Sequence, residues 1–261
     1  MASPDLRNLI EAARTAPVMP DTAARAIALI DLTSLRGGET ADEIEHLCAR
    51  AVAHGTAAIC IYAEAVPQAR PLLAGSPVRL ATVANFPHGG DDLAAAAEET
   101  AAAVAAGADE VDVVAPIGAL LEGDVGLVGE LIETCRAAAG PGITLKLILE
   151  TGRLQEPDLI TAAARAAVMA GVDFLKTSTG KTEIGATLEA AAALLAVCRE
   201  AGGRVGFKAA GGIRTARDAA GYLHLANAIM GPDWVGPRTF RFGASSLLDE
   251  LLGQGGGAAG Y

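Results

Sequence analysis

Three lysines and one aspartate stand where charge is costly. Lys146 lies in TLKLILE (144–150), Lys176 in DFLKTST (173–179) and Lys208 in VGFKAAG (205–211), while Asp112 lies in EVDVVAP (110–116). Each segment has the length and branched-residue content of a buried strand. With side chains alternating between faces, Lys146 joins Ile148 and Glu150, Lys176 joins Phe174 and Ser178, and Lys208 joins Gly206 and Ala210. Asp112 falls on the face opposite Val111 and Val113. A buried unpaired charge is expensive, so such groups persist when they are paired or functional. If these faces converge, desolvation and mutual repulsion push a lysine pKa down. A neutral amine attacks carbonyl carbon, so the pattern points to Schiff-base chemistry, with one lysine as nucleophile and a second lowering its pKa. The plain alternatives are a strand-end lysine reaching solvent, which stays open for Lys146 taken alone, and an internal salt-bridge network without chemistry.

Glycine and hydroxyl residues follow the strands that carry these groups. TSTGK supplies Thr179, Gly180 and Lys181, AAGGIRT supplies Gly211 and Gly212, and FGASS supplies Gly243, Ser245 and Ser246. Free backbone N–H groups in such turns can cradle a phosphate, and Lys181 adds a point charge. In βα barrels the loops after strands seven and eight often do this. Gly180-Lys181-Thr182 is not a nucleotide P-loop, because Leu175 stands where the first glycine is required. His46, His54, His88 and His224 have no metal-ligand spacing, so neither metal nor cofactor is expected. His88 follows the third strand and can face the site. Asp31, ending the first strand, reads equally as a ligand for a substrate hydroxyl or as a capping or salt-bridge residue. Cys60 reads as a core residue.

These residues need a scaffold that brings strand ends together. Eight segments read as strands: 28–33, 57–62, 78–85, 110–116, 144–150, 173–179, 205–211 and 239–245. Alanine-rich helical runs lie between most of them. The run 40–55 opens on a Thr cap with an acidic residue three further on; 92–107 and 186–203 end at glycine; 215–231 carries Gly221 as a weak point. Alternation at 20 to 35 residues in a chain of 261 predicts an α/β fold, a (β/α)8 TIM barrel, with a doubly wound sheet as runner-up. One domain spans 1–261, with a helical extension over about 1–20 and a flexible glycine-rich tail over about 253–261 that ends in Tyr261. Mean hydropathy is +0.36, yet no apolar run approaches the ~20 residues of a spanning helix. A net charge of −11 argues against nucleic-acid or anionic-membrane partners. Four scattered cysteines without a CxxC pair, and no signal-like N-terminus, lead to the expectation of a cytoplasmic protein.

IDLT (30–33), AAICIY (57–62), NFPHG (85–89), ADEVDVV (108–114), LKLILETG (145–152), DFLKTSTGK (173–181), GFKAAGGIRT (206–215) and RFGASSLL (241–248) together resemble the deoxyribose-phosphate aldolase family. The likeness covers nearly all the chain beyond the first two dozen residues. It implies a class I aldolase on a (β/α)8 barrel, which reversibly cleaves 2-deoxy-D-ribose 5-phosphate to D-glyceraldehyde 3-phosphate and acetaldehyde. On the resemblance, Lys176 forms the Schiff base, Lys208 keeps its pKa low, and Asp112 is the acid–base partner. Gly180, Lys181, Gly211, Gly212, Gly243, Ser245 and Ser246 fall where the family grips phosphate, with Thr179 beside them. Asp31 and Thr33 match positions near the substrate hydroxyls, and Lys146 is expected among the substrate-binding residues. Tyr261 is similar to a C-terminal tyrosine that assists proton transfer in some members. A homodimer is a common family form. Ala115-Pro116-Ile117-Gly118 departs from the Phe-Pro-Tyr-Arg of close relatives, and Ala63 stands where proline is common. Another phosphate-binding barrel aldolase or isomerase, and a non-catalytic barrel, are the competing readings.

Overall fold

The computed structural model describes residues 6–253. Its strands are β1 (Ile30–Thr33), β2 (Ala58–Cys60), β3 (Arg79–Ala84), β4 (Glu110–Val114), β5 (Thr144–Ile148), β6 (Phe174–Lys176), β7 (Gly206–Ala210) and β8 (Phe240–Ala244). All eight predicted segments contain one. Each strand pairs in parallel with the next, and β1 pairs with both β2 and β8, so the sheet closes into a barrel in chain order. Closure excludes the doubly wound sheet, whose edges stay open.

The connecting helices follow their sequence signals. Helix Ala41–His54 starts at Thr40, whose hydroxyl accepts from the Glu43 amide while Glu43 accepts from the Thr40 amide at 2.8 Å. It stops at Gly55, in the left-handed region with φ 65°. The runs at 92–107, 186–203 and 215–231 form helices Leu93–Ala105, Leu188–Glu200 and Ala216–Met230. Gly221 does not interrupt the last of these. A Cβ there would lie 3.1 Å from the Ala13 carbonyl oxygen. The glycine therefore lets the N-terminal helix Leu6–Arg14 pack close, with Leu6, Leu9 and Ile10 turned toward the core. None of the helices among the described residues is long and apolar enough to cross a membrane.

Strand alternation divides the interior in two. Outward-facing Leu32, Ile59, Leu80, Val111, Val113, Leu145, Leu147, Leu175, Phe207, Phe240 and Phe242 merge with the helices into one apolar layer. Within the barrel, a small separate apolar cluster joins Leu35, Cys60, Ala81 and Val83. Beside it the interior carries Asp31, Glu110, Asp112, Lys146, Lys176, Lys208 and Arg241, all buried, where many barrels hold branched aliphatic side chains.

Candidate active site

Register sets the charged residues facing one another. Asp112 is level with Lys146, and Lys176 with Lys208 and Arg241. Contacts that skip intervening strands place these side chains inside the barrel. Asp112 on β4 accepts from Lys176 on β6 at 2.9 Å and from Lys208 on β7 at 2.8 Å, both through Oδ2. Its Oδ1 accepts from Lys146 at 2.6 Å. Lys208 also donates to Asp31 at 2.6 Å, and Asp31 accepts from Arg241 at 2.5 Å. Arg241 donates to Glu110 at 2.9 Å, and Glu110 lies 2.6 Å from the Lys146 ammonium. Six groups thus close a ring of alternating sign: Arg241, Asp31, Lys208, Asp112, Lys146, Glu110. Lys176 hangs from the ring on the Asp112 oxygen that it shares with Lys208.

Burial and pairing act on these groups in opposite directions. Burial pushes the Lys208 ammonium down, but Asp112 and Asp31 outweigh it and hold its pKa well above the usual lysine value. Lys146 is likewise raised, since Asp112 and Glu110 overcome its burial. Lys176 goes the other way. Burial lowers it, Asp112 opposes that, and the neighbouring Lys208 charge lowers it again, so the net shift is downward. Burial would raise Asp112, but Lys146, Lys176 and Lys208 hold it well below the usual carboxylate range. The interior carries four cations against three carboxylates. Lys176 is the cation whose charge the set can lose, leaving the other three balanced.

Lys176 also opens on space. It reaches the floor of a cleft of about 200 Å³ at the C-terminal ends of the strands, lined by Thr33, Thr179, Gly180, Lys181, Gly211, Gly212, Gly243, Ser245 and Ser246. Close backbone packing shapes this end. A Cβ on Gly185 would lie 2.4 Å from the Gly211 oxygen, so the loops after β6 and β7 meet glycine to glycine. Ala186 N–H closes that contact by donating to the Ala210 and Gly211 carbonyls at 3.0 Å. A Cβ on Gly243 would lie 3.0 Å from Lys208 Cε. Lys181 donates from its amide to Thr179 at 3.0 Å and from its ammonium to the Leu35 carbonyl, which ties the loop after β6 to the one after β1.

The structure therefore gathers Thr33, Thr179, Lys176 and the glycine and serine positions around one cleft. Asp31 and Lys146 are sealed beneath it, each with 0% exposure. Their salt bridges to Arg241, Lys208, Asp112 and Glu110 occupy them, so they act on the cleft only through the ring. Cys60 is buried in the small interior apolar cluster, where burial raises its thiol. Tyr261 lies outside the described residues. Sequence reasoning missed Glu110 and Arg241, which look like ordinary charges at strand starts. It also missed Glu150. That residue adopts φ 49° two positions after β5. Its carboxylate accepts from the Thr182 hydroxyl at 3.1 Å and from the Thr179 hydroxyl, holding the loop after β6. A carboxylate two residues beyond a strand with a glycine close behind, as in LETG, was the available signal.

Comparison with known proteins agrees with this geometry. The sequence model of the DeoC/LacD family aldolases matches residues 25–253. The chain is similar in structure to a provisional deoxyribose-phosphate aldolase from Coccidioides immitis, with 30% identity and a TM-score of 0.80 over 97% of this chain and 98% of that one. It is similar to another from Toxoplasma gondii ME49, with 25% identity and a TM-score of 0.82 over 89% and 93%. It is also similar to the tetrameric deoxyribose phosphate aldolase of Aeropyrum pernix, with 25% identity and a TM-score of 0.73 over 95% and 97%. With a family match across most of its length and a barrel that puts a buried lysine at the floor of a glycine-walled cleft, the chain belongs to the DeoC/LacD family of aldolases.

Proposed function

We propose that this aldolase cleaves 2-deoxy-D-ribose 5-phosphate reversibly to D-glyceraldehyde 3-phosphate and acetaldehyde, through an imine on Lys176. One observation carries the reading. Of the three interior lysines, Lys176 alone lines the cleft, and its pKa alone is lowered. The glycine and serine turns beside it offer backbone N–H and hydroxyl groups to the 5-phosphate, with Lys181 near, and so set C1 of the open-chain sugar toward the amine.

Lys176 adds to C1, and loss of water gives a protonated imine. The C3 hydroxyl then loses its proton, and the C2–C3 electron pair moves into the imine, releasing D-glyceraldehyde 3-phosphate. The remaining enamine takes a proton at C2, and water hydrolyses the imine to acetaldehyde and free lysine. Asp112 is the acid–base partner of these steps. Because three lysines hold its pKa low, it serves as the acceptor through which protons pass among Lys176, Lys208 and water, and it does not store one. An isomerase would instead turn a barrel carboxylate toward its substrate, whereas Lys176, and none of Asp31, Glu110 and Asp112, lines the cleft.

The test is reductive trapping. Borohydride added with acetaldehyde should leave an ethyl group on the peptide bearing Lys176, and the enzyme should prefer the phosphorylated sugar over 2-deoxyribose by on the order of 100-fold. An adduct on another lysine, or active enzyme without any adduct, sinks the assignment. Equal turnover of both sugars removes the phosphate from the substrate reading.

A further inference from the structure

Glu110 and Arg241 close the side of the interior ring away from Lys176, and they touch neither that lysine nor the cleft. We infer that Glu110 and Arg241 are positioning residues for the aldol reaction: by closing the ring they hold Lys146 and Asp31, and through these they fix the Asp112–Lys208 pair beneath Lys176. This rests on Lys176 being the imine-forming lysine.

Arg241 is held on several sides. Its guanidinium donates to Asp31 on β1 at 2.5 Å and to Glu110 on β4 at 2.9 Å, so one rigid fork ties carboxylates from opposite sides of the barrel. Its third nitrogen donates to the Pro237 carbonyl, and its plane lies 5.8 Å from the Phe174 ring. Both Glu110 oxygens accept from this fork, Oε1 at 2.9 Å and Oε2 at 3.4 Å, and Oε2 also lies 2.6 Å from the Lys146 ammonium. Lys146 in turn occupies Asp112 Oδ1, which leaves Oδ2 for Lys176 and Lys208 together. The orientation of the Asp112 carboxylate, and hence the seat of both upper lysines, is fixed from below. Stability alone does not call for this arrangement. Well-packed apolar side chains fill many barrel interiors, and they commonly match or exceed buried ion networks in stability.

Two consequences separate positioning from mere structure. The charged groups facing Glu110 are Lys146, Arg241 and, at 3.8 Å, Arg79 at the barrel rim. Those facing Lys176 are Asp112 and Lys208, with the Cys60 thiol also near. Glu110→Gln removes a negative charge from this set, so the Lys176 amine should deprotonate at lower pH. Arg241→Lys keeps every charge but cannot fork to two carboxylates, so geometry alone suffers. The double variant Glu110→Gln/Arg241→Gln removes one charge of each sign.

Competitive labelling with trace acetic anhydride across pH, mapped by mass, reads the protonation midpoint of each lysine without needing turnover. Glu110→Gln should lower the Lys176 midpoint by on the order of one pH unit, and the double variant should restore it. Arg241→Lys should leave the midpoint in place. In all three, kcat should fall on the order of 10-fold or more, with KM for the phosphosugar within about two-fold, since the cleft wall is untouched. Wild-type kcat and an unmoved midpoint in folded Glu110→Gln would overturn the inference, whatever happened to Tm. Should Glu110→Gln fail to fold, Arg241→Lys decides, and wild-type kcat there overturns the inference equally. If wild-type protein forms no imine with acetaldehyde, the proposed function fails separately, and the labelling midpoints still test the ring.

Discussion

Lys208→Met isolates the charge that, on the proposed mechanism, keeps Lys176 nucleophilic. The two ammonium nitrogens bond the same Asp112 oxygen at 2.9 and 2.8 Å, so they lie no more than about 5.7 Å apart. At an effective dielectric near 20, their repulsion is about 3 kcal/mol, equivalent to about 2 pH units. Without it, burial still lowers Lys176, but the pull of Asp112 toward the protonated form goes unopposed by Lys208. The midpoint of its amine should therefore rise by about 2 units. At any pH below both midpoints, the free amine, and with it the rate of imine formation, should fall about 100-fold. No carboxylate is stranded by the change, since Asp31 keeps Arg241 and Asp112 keeps Lys146 and Lys176. The fold should survive. The assay is the rate of reductive trapping with acetaldehyde and cyanoborohydride from pH 5 to 10, normalised to folded protein. In the variant, the acid limb moves to higher pH and the alkaline plateau recovers part of the rate. An acid limb at the wild-type position in folded Lys208→Met would refute the electrostatic argument, and Lys208 would then serve only to shape the site.

Other changes separate the covalent centre from the phosphate end. Glu150→Ala frees Thr179 and Thr182, so KM for the phosphorylated sugar should rise on the order of 10-fold while trapping of Lys176 by acetaldehyde stays near wild type. Steady-state kinetics beside the trapping assay decide this, and loss of trapping would show that Glu150 acts on the lysine. Gly243→Ala places a Cβ 2.9 Å from Ala210 Cβ and 3.0 Å from Lys208 Cε. Trapping and turnover should both fall, with a Tm loss of several degrees from overpacking; unchanged kinetics would show that the strand ends shift freely. Deleting Tyr261 should slow proton exchange at C2 of the enamine, followed by deuterium uptake into acetaldehyde, without changing Tm. Unchanged exchange would remove the tyrosine from the mechanism.

The lysines and Asp112 were legible because charge inside an apolar run has few explanations. The strands that carry them were legible for the same reason, as short branched segments set between capped helices. Gly221 shows the limit. In sequence it is a weak point in a helix, and in space it is the surface on which Ala13 rests. Asp31 shows another. Its position near the end of a strand suits a substrate hydroxyl and a salt bridge equally, and alternation turns it inward between Lys208 and Arg241 with 0% exposure. Glu110 was obscured by its neighbour, since Asp109-Glu110 reads as a solvated pair at a strand start. Asp109 does stay at the rim with Arg70 and Arg79, while Glu110, one residue on, faces the interior.

By itself the sequence determined the number and order of strands, the helices between them, and the presence of too many interior charges for an ordinary core. Those are local properties, set by hydrophobic period, caps and branched residues within a few positions. Barrel closure decided the rest. Register set Asp112 level with Lys146, and Lys176 level with Lys208, and the closed sheet let groups far apart in the chain meet across its axis. The pKa of a lysine depends on the inverse distance to each neighbouring charge and on how much water remains. Neither is a property of a short segment, so which lysine is pushed toward its neutral form became decidable only once all seven groups occupied one interior.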